Sequence, residues 1–208
     1  MPDEQSMKYI IMCGGPSSLW EKPKQLYKID GKPLVERTID LLRKRGIRVS
    51  DIYITSTNKI FGRYAQLIEY NSNKDPYYWV DAFYPMDEPV TYLFGDVLYS
   101  PRAIDIIIDT PTEDIEFFGS ARPFSALYTK EYAEPFAFKV VNQEHFKQAI
   151  ERTKWLSDNG AFARHPIAWE LWQVIKGTQL NTIFVNYTTI NDYTRDFDDK
   201  SEYESYKG

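Results

Sequence analysis

Three separated stretches carry residue types that could act together on phosphate. The first is "CGGPSSLWEKPKQL", residues 13–26, which leaves a short apolar run through two glycines and two serines and arrives at Pro23-Lys24. Gly14 and Gly15 let backbone N–H groups approach an anion without Cβ interference, the hydroxyls of Ser17 and Ser18 add donors, and Lys24 adds a mobile positive charge. The second is a single carboxylate, Asp96, directly after the apolar "VTYLFG". The third is the acidic "TRDFDDKSEYE" near the end, with Asp196, Asp198 and Asp199. A loop with free amides, hydroxyls and a lysine suits an anion such as phosphate. Taken singly, each has a plain structural reading. Gly-Gly marks turns, Asp96 can end a strand, and the late aspartates can form a solvated face or cap a helix.

The elements that must position these residues alternate. "KYIIMC" (8–13) reads as a buried strand, "PLVERTIDLLRKRG" (33–46) as an amphipathic helix with Pro33 in its first turn and Gly46 at its stop, and "DIYIT" (51–55) as the next strand. "VTYLF" (90–94), "IEFFGS" (115–120), "PFAFKVV" (135–141) and "TIFVNY" (182–187) read as further strands. "RAIDIIID" after Ser100-Pro101, "QEHFKQAIERTKWL" (143–156) behind Asn142, and "PIAWELWQVIKG" (166–177) read as helices. Strand–helix–strand alternation predicts an α/β fold, in which ligands sit at the carboxyl ends of the strands. That rule brings the three stretches to one mouth.

Composition sets the outer limits. The 208 residues fit one domain of 1–208, with no repeat or low-complexity tract to divide it and residues 1–6 expected to be flexible. A formal charge of −5 argues against a nucleic-acid partner, and the longest apolar runs are too short to span a membrane. The single cysteine, Cys13, forms no internal disulfide and points to a cytoplasmic protein. His145 and His165 are too few and too isolated for zinc.

"IIMCGG", Pro23-Lys24-Gln25-Leu26 and "IDGKPLVERTIDLLRKRGI" together resemble the N-terminal signature of the nucleotidyltransferase superfamily. Members include sugar-1-phosphate pyrophosphorylases and phosphocholine cytidylyltransferases. The likeness runs over about residues 7–60, returns at 90–100 and again at 187–204. It implies a single-domain three-layer sandwich, a mixed and mostly parallel sheet flanked by helices, shared with the A-type glycosyltransferases. It also implies transfer of a nucleoside monophosphate from a nucleoside triphosphate to a phosphorylated small acceptor, such as a sugar phosphate or a phosphocholine-like compound, with Mg2+ as cofactor. The activated product would serve as a polysaccharide or head-group precursor.

Carried onto this sequence, the resemblance makes Lys24, Asp96 and Asp198 the catalytic residues, with Asp96 and Asp198 as metal ligands and Asp196 the weaker claimant. Cys13, Gly14, Gly15, Ser17, Ser18, Lys24 and Asp81 become nucleotide-binding residues within a nucleotide part of about 7–100. The acceptor part, about 101–208, supplies Arg122, Glu134, Lys139, His165 and Trp169. Cations beside aromatics there suit a phosphate joined to a neutral or quaternary-ammonium head. The loop departs from the family pattern Gly-x-Gly-[ST]-Arg: it is shorter and has no arginine, with Lys22 and Arg63 as candidate substitutes. An A-type glycosyltransferase, a non-catalytic nucleotide-binding relative and a homo-oligomer all stay open at this stage.

Overall fold

The computed structural model describes residues 7–14, 20–70, 78–121, 133–181, 186–198 and 200–207. The expectations for residues 1–6, Gly15, Ser17, Ser18, Arg122, 182–185 and Asp199 lie outside that set. In chain order the elements are β1 (Lys8–Met12), β2 (Lys28–Ile29), β3 (Lys32–Pro33), α1 (Leu34–Lys44), β4 (Ile52–Ser56), β5 (Gln66–Glu69) and α2 (Tyr78–Asp81). They continue with β6 (Val90–Phe94), β7 (Val97–Leu98), α3 (Pro101–Asp109), β8 (Ile115–Ser120), β9 (Pro135–Val140), α4 (Gln143–Asp158), α5 (Ala168–Lys176), β10 (Thr188–Ile190), β11 (Arg195–Asp196) and α6 (Lys200–Lys207).

Seven strands form the main sheet in the order β10-β8-β9-β6-β1-β4-β5. β9 runs antiparallel to both of its neighbours, and the other pairings are parallel. This is the mixed, mostly parallel sheet that the resemblance implies. The central strands are buried on both faces, which is why they read as continuous apolar runs rather than alternating ones.

Strand alternation assigns the two faces. On β9, Phe138 turns toward α4 and α5, where Phe146 and Trp172 pack on it, while Lys139 turns toward α3. Helices therefore cover both sides. α1 buries Leu34, Val35, Thr38, Ile39 and Leu42, the spacing of one helical stripe. It ends at Gly46, φ +82°, where the Gly46 and Ile47 amides donate to the Arg43 and Leu42 carbonyls, a closure that favours a residue without Cβ. Ser100 caps α3 by accepting from the Ala103 amide, and Asn142 caps α4 by accepting from the His145 amide, both as the sequence predicts.

Of the strand expected at 182–187, only Asn186 and Tyr187 are among the described residues. Directly after that stretch, Thr188–Ile190 forms β10 and pairs with β8. Tyr187 instead lays its ring against Trp169 and Phe117, and the Asn186 carbonyl accepts from Trp172 Nε1. Packing against α5 takes the aromatic residue that periodicity alone would give to the sheet.

A second, smaller apolar cluster sits beside the main core: Trp20, Tyr27, Ile29, Leu34, Leu98, Phe197 and Tyr203. It gathers the end of the first loop, the β2–β3 hairpin, the start of α1, β7, the acidic tail and α6. Its edge-to-face contacts, Trp20–Tyr27 at 4.7 Å and Tyr27–Tyr203 at 5.0 Å between centroids, each contribute about 0.5–1.5 kcal/mol beyond area burial. Among the described residues no helix is long and apolar enough to cross a membrane.

Candidate active site

A cavity of about 560 Å³ opens beyond the carboxyl end of β6 and against the first turns of α5. Phe94 and Asp96 line it from β6 and the turn that follows, Lys24 from the first loop, and Asp196 and Asp198 from the tail. Trp79, Ala133, Pro135, Ile167, Ala168 and Trp169 supply apolar wall. Three stretches more than seventy residues apart in sequence thus meet at one place.

Local structure explains how each arrives. The β6 strand ends at Phe94, and the Gly95 amide donates to the Met12 carbonyl of β1. A Cβ at Gly95 would meet that carbonyl oxygen at 2.6 Å and Cys13 Sγ at 2.8 Å, so only glycine lets the two strand ends close up. Asp96 follows at once and is aimed into the cavity. Lys24 opens a short 3-10 turn after Pro23; its ammonium lies 3.4 Å from Asp96 Oδ2 and 5.9 Å from the centre of the Trp20 ring. The tail is brought in by β11, which pairs antiparallel with β7 and sets Asp196 opposite Val97, the neighbour of Asp96. Glu134, fully buried, accepts from the Asp196 amide at 3.0 Å, and Glu202 accepts from the Asp198 amide at 2.9 Å. Phe197 between the two aspartates anchors in the smaller cluster against Tyr203.

The donor set fits a small divalent cation. Asp96 and Asp198 offer hard oxygen to one cavity, and the ammonium beside Asp96 marks a position that accepts positive charge. Among the described residues no group of three or more His, Cys, Asp or Glu suited to a metal occurs, and magnesium needs only one or two protein carboxylates.

Other expected residues are placed differently. Gly14 and Cys13 stand at the end of β1, where Tyr70 covers Gly14 so closely that an added Cβ would fall 1.8 Å from its hydroxyl. Burial pushes the Cys13 thiol well above its ordinary range, which makes it a packing group rather than a nucleophile. Burial, with help from Asp81, pushes the Tyr70 hydroxyl up to about 12. Asp81 does not line the cavity; it pairs with Lys154 of α4 at 3.0 Å, while Trp79 of the same helix does line it.

Among the residues expected to bind acceptor, Trp169 lines the cavity and Glu134 supports the tail from beneath. His165 is exposed and outside the lining. Lys139 is a correction: its ammonium donates at 2.7 Å to the Ile108 and Thr110 carbonyls, closing the C-terminal end of α3 on the side of the sheet away from α5. Its position opposite Thr91 and Glu116 puts it near the starts of β6 and β8, remote from Asp96. Orphan carbonyls at a helix end attract a cation, and that explains a lysine in a strand. Neither proposed substitute for the missing arginine lines the cavity: Lys22 lies over Tyr27, and Arg63 donates to Tyr64.

Sequence reasoning did not single out Gln173 and Asn181, which line the cavity beside Arg164. Glu170 joins Arg164 at 2.7 Å and accepts from the Ile167 amide, fixing the start of α5; Gln173 accepts from the Asn181 amide. Ile167 has no side-chain acceptor, so only the Glu170 half of a capping box is present and little in the sequence signals it.

No protein-family model matches the chain, and no curated protein matches it. Solved structures do. A Bacillus anthracis protein assigned as a glucose-1-phosphate thymidylyltransferase superposes with a TM-score of 0.60 at 14% identity, covering 97% of this chain and 94% of that one. The inositol-1-phosphate CTP transferase of T. maritima gives 0.59 at 15% identity, covering 94% and 90%. The CTP:phosphocholine cytidylyltransferase of Streptococcus pneumoniae gives 0.52 at 13% identity, covering 97% of each chain. The chain has the nucleotidyltransferase-like fold that its N-terminal signature implies.

Proposed function

We propose that this protein is a magnesium-dependent nucleotidyltransferase. It moves a nucleoside monophosphate from a nucleoside triphosphate, CTP or a sugar-activating triphosphate, to a phosphorylated small acceptor and releases pyrophosphate. The observation that carries this reading is the convergence of Lys24, Asp96, Asp196 and Asp198 on one cavity at the strand ends, within this fold.

In the reaction a phosphate oxygen of the acceptor attacks the α-phosphorus. A new P–O bond forms, the bond from the α-phosphorus to the bridging oxygen breaks, and pyrophosphate leaves with that electron pair. Lys24 donates to the phosphate oxygens as charge builds on them, from a position where its ammonium stands beside Asp96 and 5.9 Å from the centre of the Trp20 ring. Asp96 and Asp198 would hold the cation, which when bound neutralises phosphate charge and orients the triphosphate. Glu134 and Glu202 keep the tail amides in register so that Asp198 stays on the cavity. The nucleotide is assigned to the part formed by residues of about 7–100, and the acceptor to the space bounded by Trp169 and the start of α5. The cytoplasm, where triphosphates are abundant, is the expected setting.

Pyrophosphate release is the test. The four nucleoside triphosphates, each with magnesium, are combined with a set of sugar 1-phosphates and phosphocholine. Acceptor-dependent release with one pairing is expected; release with none, alongside turnover of a nucleotide sugar, would replace this reading with a glycosyltransferase.

A further inference from the structure

We infer that Lys24 holds the cation position of the free site, so that the protein takes a divalent cation together with a triphosphate and discriminates against the bare cation. The inference rests on the nucleotidyltransferase reading and adds a rule of binding order to it. Its basis is the contact between Lys24 Nζ and Asp96 Oδ2, 3.4 Å apart, with the two side chains only 20% and 13% exposed. A cation at Asp96 and an ammonium at that distance repel each other, and the repulsion is weakly screened because both groups are largely out of water.

The other cation on the cavity cannot fill the same role. Arg164 is bound to Glu170 at 2.7 Å, at the α5 end. Lys24 is therefore, among the described residues, the cation that stands beside Asp96. It has somewhere to go. Its ammonium already lies over the Trp20 ring, which gives the side chain a second favourable surface when Asp96 turns to another partner.

Those facts fix the sign of the coupling. A bare divalent cation must displace the ammonium from Asp96 and leave it facing added positive charge. A cation arriving with triphosphate brings anionic oxygens that take the ammonium over. Triphosphate therefore strengthens cation binding, and by linkage the cation strengthens triphosphate binding by the same factor. Replacing Lys24 with a neutral residue should remove the competitor, raising affinity for the bare cation while lowering affinity for the nucleotide.

The experiment is a titration of the full chain with Mn2+ alone, followed by water-proton relaxation, on wild type, Lys24→Met, Lys24→Gln and the Lys24→Met/Asp96→Asn pair. Circular dichroism melts confirm that each variant is folded, and two substitutions at Lys24 guard against one that is not. The expected result is about tenfold tighter Mn2+ binding in both Lys24 variants than in wild type, with the gain lost in the double variant. Equal or weaker Mn2+ binding in the Lys24 variants would overturn the inference. So would a gain that survives Asp96→Asn, because the cation would then be bound elsewhere. Pyrophosphate release by the wild type is scored separately, so the binding rule can fail while the nucleotidyltransferase reading stands.

Discussion

Lys24 and Asp96 are 72 residues apart in sequence, yet the lysine ammonium stands 3.4 Å from the aspartate carboxylate inside the cavity. Two different devices bring them together. Asp96 is delivered by the end of a central strand and by Gly95, whose lack of a Cβ lets β6 meet β1. Lys24 is delivered by a Pro-initiated turn packed under Trp20 and Tyr27. The backbone of each residue is thus placed by its own element, and the contact between them is made by the side chains alone.

Asp96→Asn should reduce turnover by about 10³-fold or more, because it keeps the side-chain shape and removes the charge that would hold the cation. The melting temperature should stay within a few degrees of wild type. Steady-state pyrophosphate release at saturating magnesium checks it, and full activity there would remove Asp96 from the metal role.

Lys24→Met should lower kcat about 10²-fold, since the lost cation faces charge that develops on phosphate. A rise in KM with kcat unchanged would instead make Lys24 a uniform binder of ground and transition states.

Gly95→Ala should cost about 1–3 kcal/mol of stability, the usual effect of forcing a methyl into close-packed backbone. The added carbon would meet Met12 O at 2.6 Å, an atom fixed in the sheet that cannot swing aside. The midpoint of urea unfolding measures this, and a neutral result would mean that β6 can separate from β1 without loss.

The cluster formed by Lys8, Arg48 and Asp51 predicts a pH dependence. The Arg48 hydrogen bond, followed by that of Lys8, holds the Asp51 carboxyl below its ordinary 3.8, against the opposing effect of burial. A depressed carboxylate contributes stability that is present above its unfolded value and lost as pH falls through its folded value. Asp51→Asn should therefore melt lower than wild type at pH 7, and the gap should narrow once pH drops below about 3.8. A gap that is unchanged down to pH 2.5 would assign the loss to packing rather than charge.

What could be read from the sequence divides by the range of the interactions involved. The central strands and α1, α3, α4 and α5 announce themselves through local pattern and caps such as Ser100 and Asn142. The convergence of Lys24, Asp96 and Asp198 was legible only through resemblance and the rule that ligands meet strand ends. β7 and β11 are two residues each, too short to carry a period, and yet their pairing is what brings Asp196 to the site. Lys139 misled because its type suggests a ligand, whereas its partners are carbonyls of a helix distant in sequence. Asp81 likewise meets a partner that its sequence neighbourhood does not announce, Lys154 of α4. Side-chain chemistry shows what a residue can bind; only the fold shows which partner reaches it first.

The smaller aromatic cluster makes the final prediction, because it touches both ends of the site. Tyr203 of α6 packs on Tyr27 at 5.0 Å and Phe197 at 5.8 Å, and its hydroxyl donates to the Lys28 carbonyl at 2.6 Å. Tyr27 belongs to the segment that carries Lys24, and Phe197 precedes Asp198, so one ring spans both supports. Tyr203→Phe keeps the ring and loses one hydrogen bond, a cost of about 1 kcal/mol, and should keep turnover within about twofold. Tyr203→Ala opens a gap between the supports and should cost about 3–5 kcal/mol at a well-packed site. Measured well below its lowered melting temperature, the alanine variant should also lose at least about tenfold in kcat, as misplacement of charged groups by an ångström would cause. An alanine variant that melts early but turns over at the wild-type rate would make the cluster a support for the fold alone, and Asp198 would have to be held by Glu202 and β11.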